Sequence, residues 1–225
     1  MLPNIVDKQL DAEQEKFLTE ALRNVFDEID LPNKIAQTIE KEVFERYLEP
    51  HRTYHNLTHI YSLFKILEHA EDRPKDVKIF SLAIIFHDII YTIGAHDNES
   101  RSAFTAGEKL KGHLSENELV CLGQMIESTV EHKPVSDYVD IPLFLDFDLS
   151  ILAAPVHVYN KYAKAIRKEY GQFSDEMYRE GRRRVLQHFL QQERIFLTDY
   201  FFEKYESHAR QNLNSELKSL ASLFS

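Results

Sequence analysis

The sequence predicts an all-α fold, a compact multi-helix bundle, on three observations. Apolar residues recur at helical spacing along most of the chain, no stretch shows strong apolar–polar alternation, and only six glycines and seven prolines punctuate it. A length of 225 residues suits one domain with a sizeable core. With no internal repeat and no low-complexity linker, the chain reads as a single helical domain over 1–225. Its core covers about residues 33–200, with the terminal helices packed on it.

Residues 11–29 carry Phe17, Leu18, Leu22, Val25, Phe26 and Ile29 at helical spacing, and Leu31-Pro32-Asn33 then breaks the pattern. Asn33 is the expected cap of a second helix through Ile35, Ile39, Val43, Phe44 and Tyr47, which stops near Glu49-Pro50. The loop His51-Arg52-Thr53-Tyr54 leads into a third helix from Asn56, with Ile60, Leu63, Phe64, Ile66 and Leu67 facing a core. Residues 76–91 read as one helix, nearly all apolar over 79–86 and so buried on most sides. Gly94 opens a loop that closes at Asn98, and 99–110 and 115–131 are two further helices. Residues 134–142 form a loop, after which the Asp148 segment starts another helical stretch. Helices over 156–170, 174–192 and 198–223 complete the chain, with Gly171 and Thr198-Asp199 as breaks.

Chemistry concentrates in three places. Tyr54-His55-Asn56-Leu57-Thr58-His59 is followed 28 residues after its last histidine by His87-Asp88, and Asp146-Phe147-Asp148-Leu149-Ser150 adds a late carboxylate. Imidazoles with carboxylates form the mixed nitrogen and oxygen set that suits a divalent ion such as Mn, Fe, Zn or Co. The implied chemistry is metal-assisted hydrolysis. Taken alone, His55 and His59 share one helix face and fit a structural pair as readily as a ligand pair. The setting of His87-Asp88 weighs for a metal, because an Asp at the end of a buried apolar run is costly unless it is paired or coordinates an ion.

Five patterns occur together in the chain. They are Arg-x-Tyr-His-Asn-x-x-His at 52–59, Phe-His-Asp-x-x-Tyr at 86–91, Asp-Asn-Glu-x-x-Ser-Ala at 97–103, Asp-x-Asp-Leu at 146–149 and Ile-Arg-x-Glu-Tyr at 166–170. Over about residues 45–200 the combination resembles the HD-domain superfamily of metal-dependent phosphohydrolases, in particular a bacterial-type group of predicted HD phosphohydrolases. The stretches Tyr54-His55-Asn56-x-x-His59 and Asp148-Leu149-Ser150 are also similar to those of the cyclic nucleotide phosphodiesterases. Ile89-Ile90-Tyr91 stands where those enzymes carry a second Asp and a His, so cyclic nucleotide chemistry is not implied.

The resemblance implies an HD-type helical fold with His59, His87, Asp88 and Asp148 as ligands of one ion, leaving positions open for water and substrate. The ion would activate a water and polarise a phosphoryl oxygen. His55, one turn from His59, is the implied general acid, with a second ligand or a helix-capping group as the alternatives. Tyr54, Asn98, Arg52 and Arg167 are candidate substrate-binding residues, the two arginines as bidentate phosphate grips, with surface salt bridges as the plain alternative. Glu99 is a candidate catalytic, water-orienting carboxylate, although Asp97-Asn98-Glu99 equally suits a helix start with first-turn acids. In Gly181-Arg182-Arg183-Arg184 three consecutive positions point three ways, so at most one is expected to face a pocket. His132 is a candidate for a second ion. His96, His113, His157, His188 and His208 are expected at the surface or in packing.

A net charge of -10 argues against a nucleic-acid polymer as partner and leaves a small phosphorylated substrate or nucleotide. Cys121, the one cysteine, is expected as a buried structural thiol. No apolar segment follows Met1, and no run approaches the ~18 residues of a membrane span, so a cytoplasmic protein off the membrane is expected. A homo-oligomer is compatible with the sequence. The expectation is a metal-dependent phosphohydrolase with a divalent ion (Mn, Fe, Zn, Co or Mg), one site favoured over two. Its rivals are a catalytically silent metal- or nucleotide-binding regulatory module and a di-iron HD-type oxygenase, which would need His132 or Asp97 as a further ligand.

Overall fold

The computed structural model describes residues 9–222, and among these it contains ten α-helices, one 3-10 turn and no strand. The C-terminal end of the last expected helix, Leu223, lies outside the described residues. α1 (Ala12–Glu28) starts at a capping box between Asp11 and Gln14 and buries Leu18, Leu22, Val25 and Phe26. α2 (Asn33–Tyr47) is capped differently from expectation. Pro32 is its N-cap and Asn33 makes no capping bond: the ring presets φ at -54°, and the missing N–H is one a helix start leaves unpaired anyway.

α3 (Leu57–His69) begins where Asn56 accepts from the Thr58 N–H, and it buries a face running from His59 through Ile66. α4 (Val77–Phe86) is capped by Asp76 and buried at every residue from Ile79 to Phe86. It packs against α1, α3, α5 (Asn98–Leu110) and α6 (Glu116–Glu127). α7 (Ile141–Asp148) runs into the 3-10 turn Leu149–Ala153, followed by α8 (Val156–Glu169), α9 (Asp175–Gln191) and α10 (Asp199–Ser222). A continuous apolar core joins Leu18 of α1 to Leu213 of α10. No single helix among the described residues is long and apolar enough to cross a membrane.

Three boundaries differ from the sequence expectation. α4 ends at Phe86, not at residue 91, and His87, Asp88 and Ile89 lie in turns. The carbonyls that a longer helix would use internally are taken from outside it: Tyr47 OH donates to Ile85 O, and the Arg52 guanidinium donates to Asp88 O and Ile89 O at 2.6 and 3.0 Å. α6 stops at Glu127, four residues early, in a turn that leads to His132 at φ +51°. Asp148 ends a helix where it was expected to begin one, because Pro142 sits in the first turn of α7, where its ring is tolerated. Cys121 is half-buried, short of the fully buried thiol expected.

Buried carboxylates tie the loops to the helices. Asp140 accepts the N–H groups of Lys75 and Asp76, Asp146 those of Leu197 and Thr198, and Glu206 those of Ile195 and Phe196. Each replaces water for backbone donors that the fold has buried.

Candidate metal centre

Three elements converge on one point: α3 supplies His59, the turn after α4 supplies His87 and Asp88, and the last residue of α7 supplies Asp148. The two imidazole Nε2 atoms are 3.1 Å apart, and Asp148 Oδ1 lies 3.2 Å from that of His59 and 3.7 Å from that of His87. Asp88 Oδ2 joins at the edge, 3.3 Å from His87 Nε2. One ligand atom from each of His59, His87 and Asp148 falls within 4.8 Å of the others, so the trio could hold a metal ion. Ligands held ~2.0–2.2 Å from a small divalent cation lie roughly 3–3.5 Å from one another, a range that holds two of the three distances here, with the third at 3.7 Å.

The tautomer supports the same fit. His87 Nδ1 lies 3.1 Å from Ile84 O, a carbonyl that can only accept, so Nδ1 carries a proton and Nε2 of the neutral ring offers its lone pair to the cluster. Burial acts to lower the His87 pKa, but the charge and hydrogen bond of Asp88 and the charge of Asp148 outweigh it and push it up to about 9. His59 is lowered, by burial first and then by the charge of His87, against the pull of Asp148. Against the desolvation that would raise them, hydrogen bonds from His132 and His59 hold Asp148 well below the usual carboxylate range, and His87 does the same for Asp88.

His55 stands beside this cluster and outside it. Its Nδ1 is 2.8 Å from Glu169 Oε2, which leaves Nε2 for the cleft, and its ring packs against Tyr91. Burial works to lower the His55 pKa, yet the charge and hydrogen bond of Glu169 carry it above its ordinary value. Glu169 is itself 3% exposed and accepts the backbone N–H groups of Thr53, Tyr54 and His55 through Oε1. Burial would raise its pKa, but His55 and these donors bring it down to about 2. Sequence reasoning passed over Glu169, although it lies within the Ile166-Arg167-x-Glu169-Tyr170 pattern. A carboxylate on the buried face of a helix is the signal that could have singled it out.

Above Asp148 opens a cleft of about 1050 Å³. Tyr54, His55, Glu99 and Asp148 line it together with aromatic residues including Tyr162 and Phe173. Tyr54, 9% exposed, packs its ring on His55, His59 and Tyr162. His132 reaches Asp148 Oδ2 at 3.1 Å, and His188, expected only at the surface or in packing, also lines the cleft. His96, His157 and His208 are exposed and His113 is half-buried. Both Arg182 and Arg184 border the cleft, one more than expected. Arg182 is committed to Glu216 and Arg184 to Glu180.

Other candidates have different jobs. Asp146 points away from Asp148, since two positions along a helix are ~200° apart, and it holds Leu197 and Thr198. The Asn98 side chain pairs with both N–H and C=O of Thr92 and closes the Gly94 loop. Arg167 donates to Tyr170 O, Phe173 O and Asp175, so it fastens the turn between α8 and α9. Arg52 is 1% exposed, and its donors are taken by Glu49, His55 O, Asp88 O and Ile89 O. It clasps the histidine loop to the His87-Asp88 turn and is no surface phosphate grip.

Arg52→Lys is therefore expected to destabilise the fold by about 1–3 kcal/mol for each carbonyl left without a donor, because an ammonium cannot reproduce the planar fork. Denaturant titration checks this. A change confined to KM, with stability intact, would return Arg52 to the substrate. Comparison of the chain with protein-family models, with curated proteins and with solved structures finds no match.

Proposed function

We propose that this chain is a metal-dependent phosphohydrolase of the HD type, acting on a small phosphate ester or nucleotide. The observation that carries the reading is the pairing of two devices at one cleft. A buried cluster of two imidazoles and a carboxylate, with Asp88 at its edge, faces the cleft through Asp148, and the His55–Glu169 pair stands next to it. His59, His87, Asp88 and Asp148 would hold the ion. When bound, a divalent ion there supplies Lewis acidity toward a phosphoryl oxygen and makes water a competent nucleophile near neutral pH.

The rest falls to the chain's own groups. Glu169 raises the His55 pKa and fixes the ring by its Nδ1, so Nε2 would donate a proton to the departing ester oxygen. Glu99, which lines the cleft, would orient a water. The aromatic wall offers packing to the organic part of a substrate, and a cleft of this size suits one small molecule better than a polymer.

A panel of phosphomonoesters, nucleotides and cyclic nucleotides tests the reading. Turnover is expected on small members only. It should be abolished by chelator and restored by at least one of Mn, Fe, Co, Zn or Mg. A folded protein with no affinity for any of these ions would sink the enzyme reading, and processive cleavage of long DNA or RNA would contradict its substrate class.

A further inference from the structure

His132 occupies an unusual backbone position. The Lys133 N–H donates to Ser128 O at 3.1 Å, the closing bond of a Schellman-type helix end, and the residue it encloses, His132, is left-handed at φ +51°. Glycine or asparagine is the usual occupant there, because a Cβ crowds the following carbonyl. The chain builds the same end after α1, where Leu31 N–H reaches Phe26 O around Asp30, also at φ +51°. Asp30 is exposed. His132 instead packs its ring edge-on to Phe189 and places Nε2 3.1 Å from Asp148 Oδ2.

This contact divides the two oxygens of Asp148. Oδ1 faces His59 and His87, and Oδ2 is engaged by His132. The ligand atoms that converge belong to His59, His87 and Asp148, and His132 stands outside that trio, touching it only through Asp148, whose carboxylate accepts from the imidazole. We propose that His132 is a positioning residue of a one-ion centre: it holds Asp148 by Oδ2 so that Oδ1 alone is presented to the metal, and it does not bind a second ion. This rests on the metal-centre reading above. Outer partners that orient a ligating carboxylate typically carry 10–100-fold in metal affinity.

The test is His132→Gly, with His132→Gln beside it, titrated with Mn and with Zn by calorimetry, and melted in chelator. Glycine relieves the left-handed backbone, which offsets the lost hydrogen bond to Asp148, so without metal the variant is expected to melt near the wild-type temperature. Its affinity for the ion should fall 10–100-fold while the stoichiometry stays at about one per chain. Glutamine, whose amide can donate in place of Nε2, should recover much of the affinity. Unchanged affinity in His132→Gly overturns the inference and leaves the metal centre standing. Two ions in the wild type and one in the variant also overturn it, by making His132 a ligand. A glycine variant less stable in chelator overturns it too, by making the histidine a packing residue on Phe189. A wild type that binds no ion overturns the inference together with the reading beneath it.

Discussion

Asp148→Ala is expected to take the protein from about one bound ion per chain to none detectable by elemental analysis, and to abolish turnover with it. Asp148 is the carboxylate of the convergent trio, and its charge offsets two buried imidazoles at once. Its removal leaves His59 and His87 facing each other at 3.1 Å with only Asp88 to draw a cation. Asp146→Ala, two residues away, should do the opposite. The metal should stay, and the fold should lose roughly 1–3 kcal/mol for each N–H of Leu197 and Thr198 left buried without an acceptor. If Asp146→Ala empties the site and Asp148→Ala does not, the assignment of the two carboxylates is reversed.

His55→Ala is expected to leave metal content near normal and to cut turnover by about 10²–10⁴, the usual worth of a proton donor. A nitrophenyl ester, whose leaving group needs no proton, should suffer much less. The pH profile adds a readout that a packing role would not move. Glu169 raises the His55 pKa, so the imidazolium is present below that pKa and is lost as pH rises through it. Activity on unactivated esters should fall along that basic limb. Glu169→Gln keeps an acceptor for the N–H groups of residues 53–55 but removes the charge, so the limb should shift to lower pH. A His55→Ala protein that loses its metal would make His55 a ligand, and one with full activity on unactivated esters would remove it from the chemistry.

The helices were legible because each depends on neighbours within a few residues. Asp11 with Gln14, Asn56 with Thr58 and Ser115 with Glu118 are local caps, and the buried faces of α1, α3 and α8 follow a 3.6-residue period that the apolar residues reveal directly. The end of α4 was not legible, because Tyr47 takes the Ile85 carbonyl and Arg52, 36 residues upstream of Asp88, takes the carbonyls just past the helix. The same residue misled as a phosphate grip: an arginine ahead of a histidine helix has one sequence appearance whether its guanidinium faces solvent or the backbone.

By itself the sequence determined the helical class, the order of most elements and the donor types of the centre, since periodicity, capping and ligand chemistry are properties of residues and their near neighbours. The resemblance names Asp148 over Asp146, and the tertiary structure supplies the physical reason, because the direction in which a helix is docked turns one of two opposed faces toward the histidines. Tertiary packing likewise set Glu169 on His55 and His132 on Asp148, contacts that span 114 and 16 residues. Hydrogen bonds of that reach form when helices pack, and no local rule encodes them.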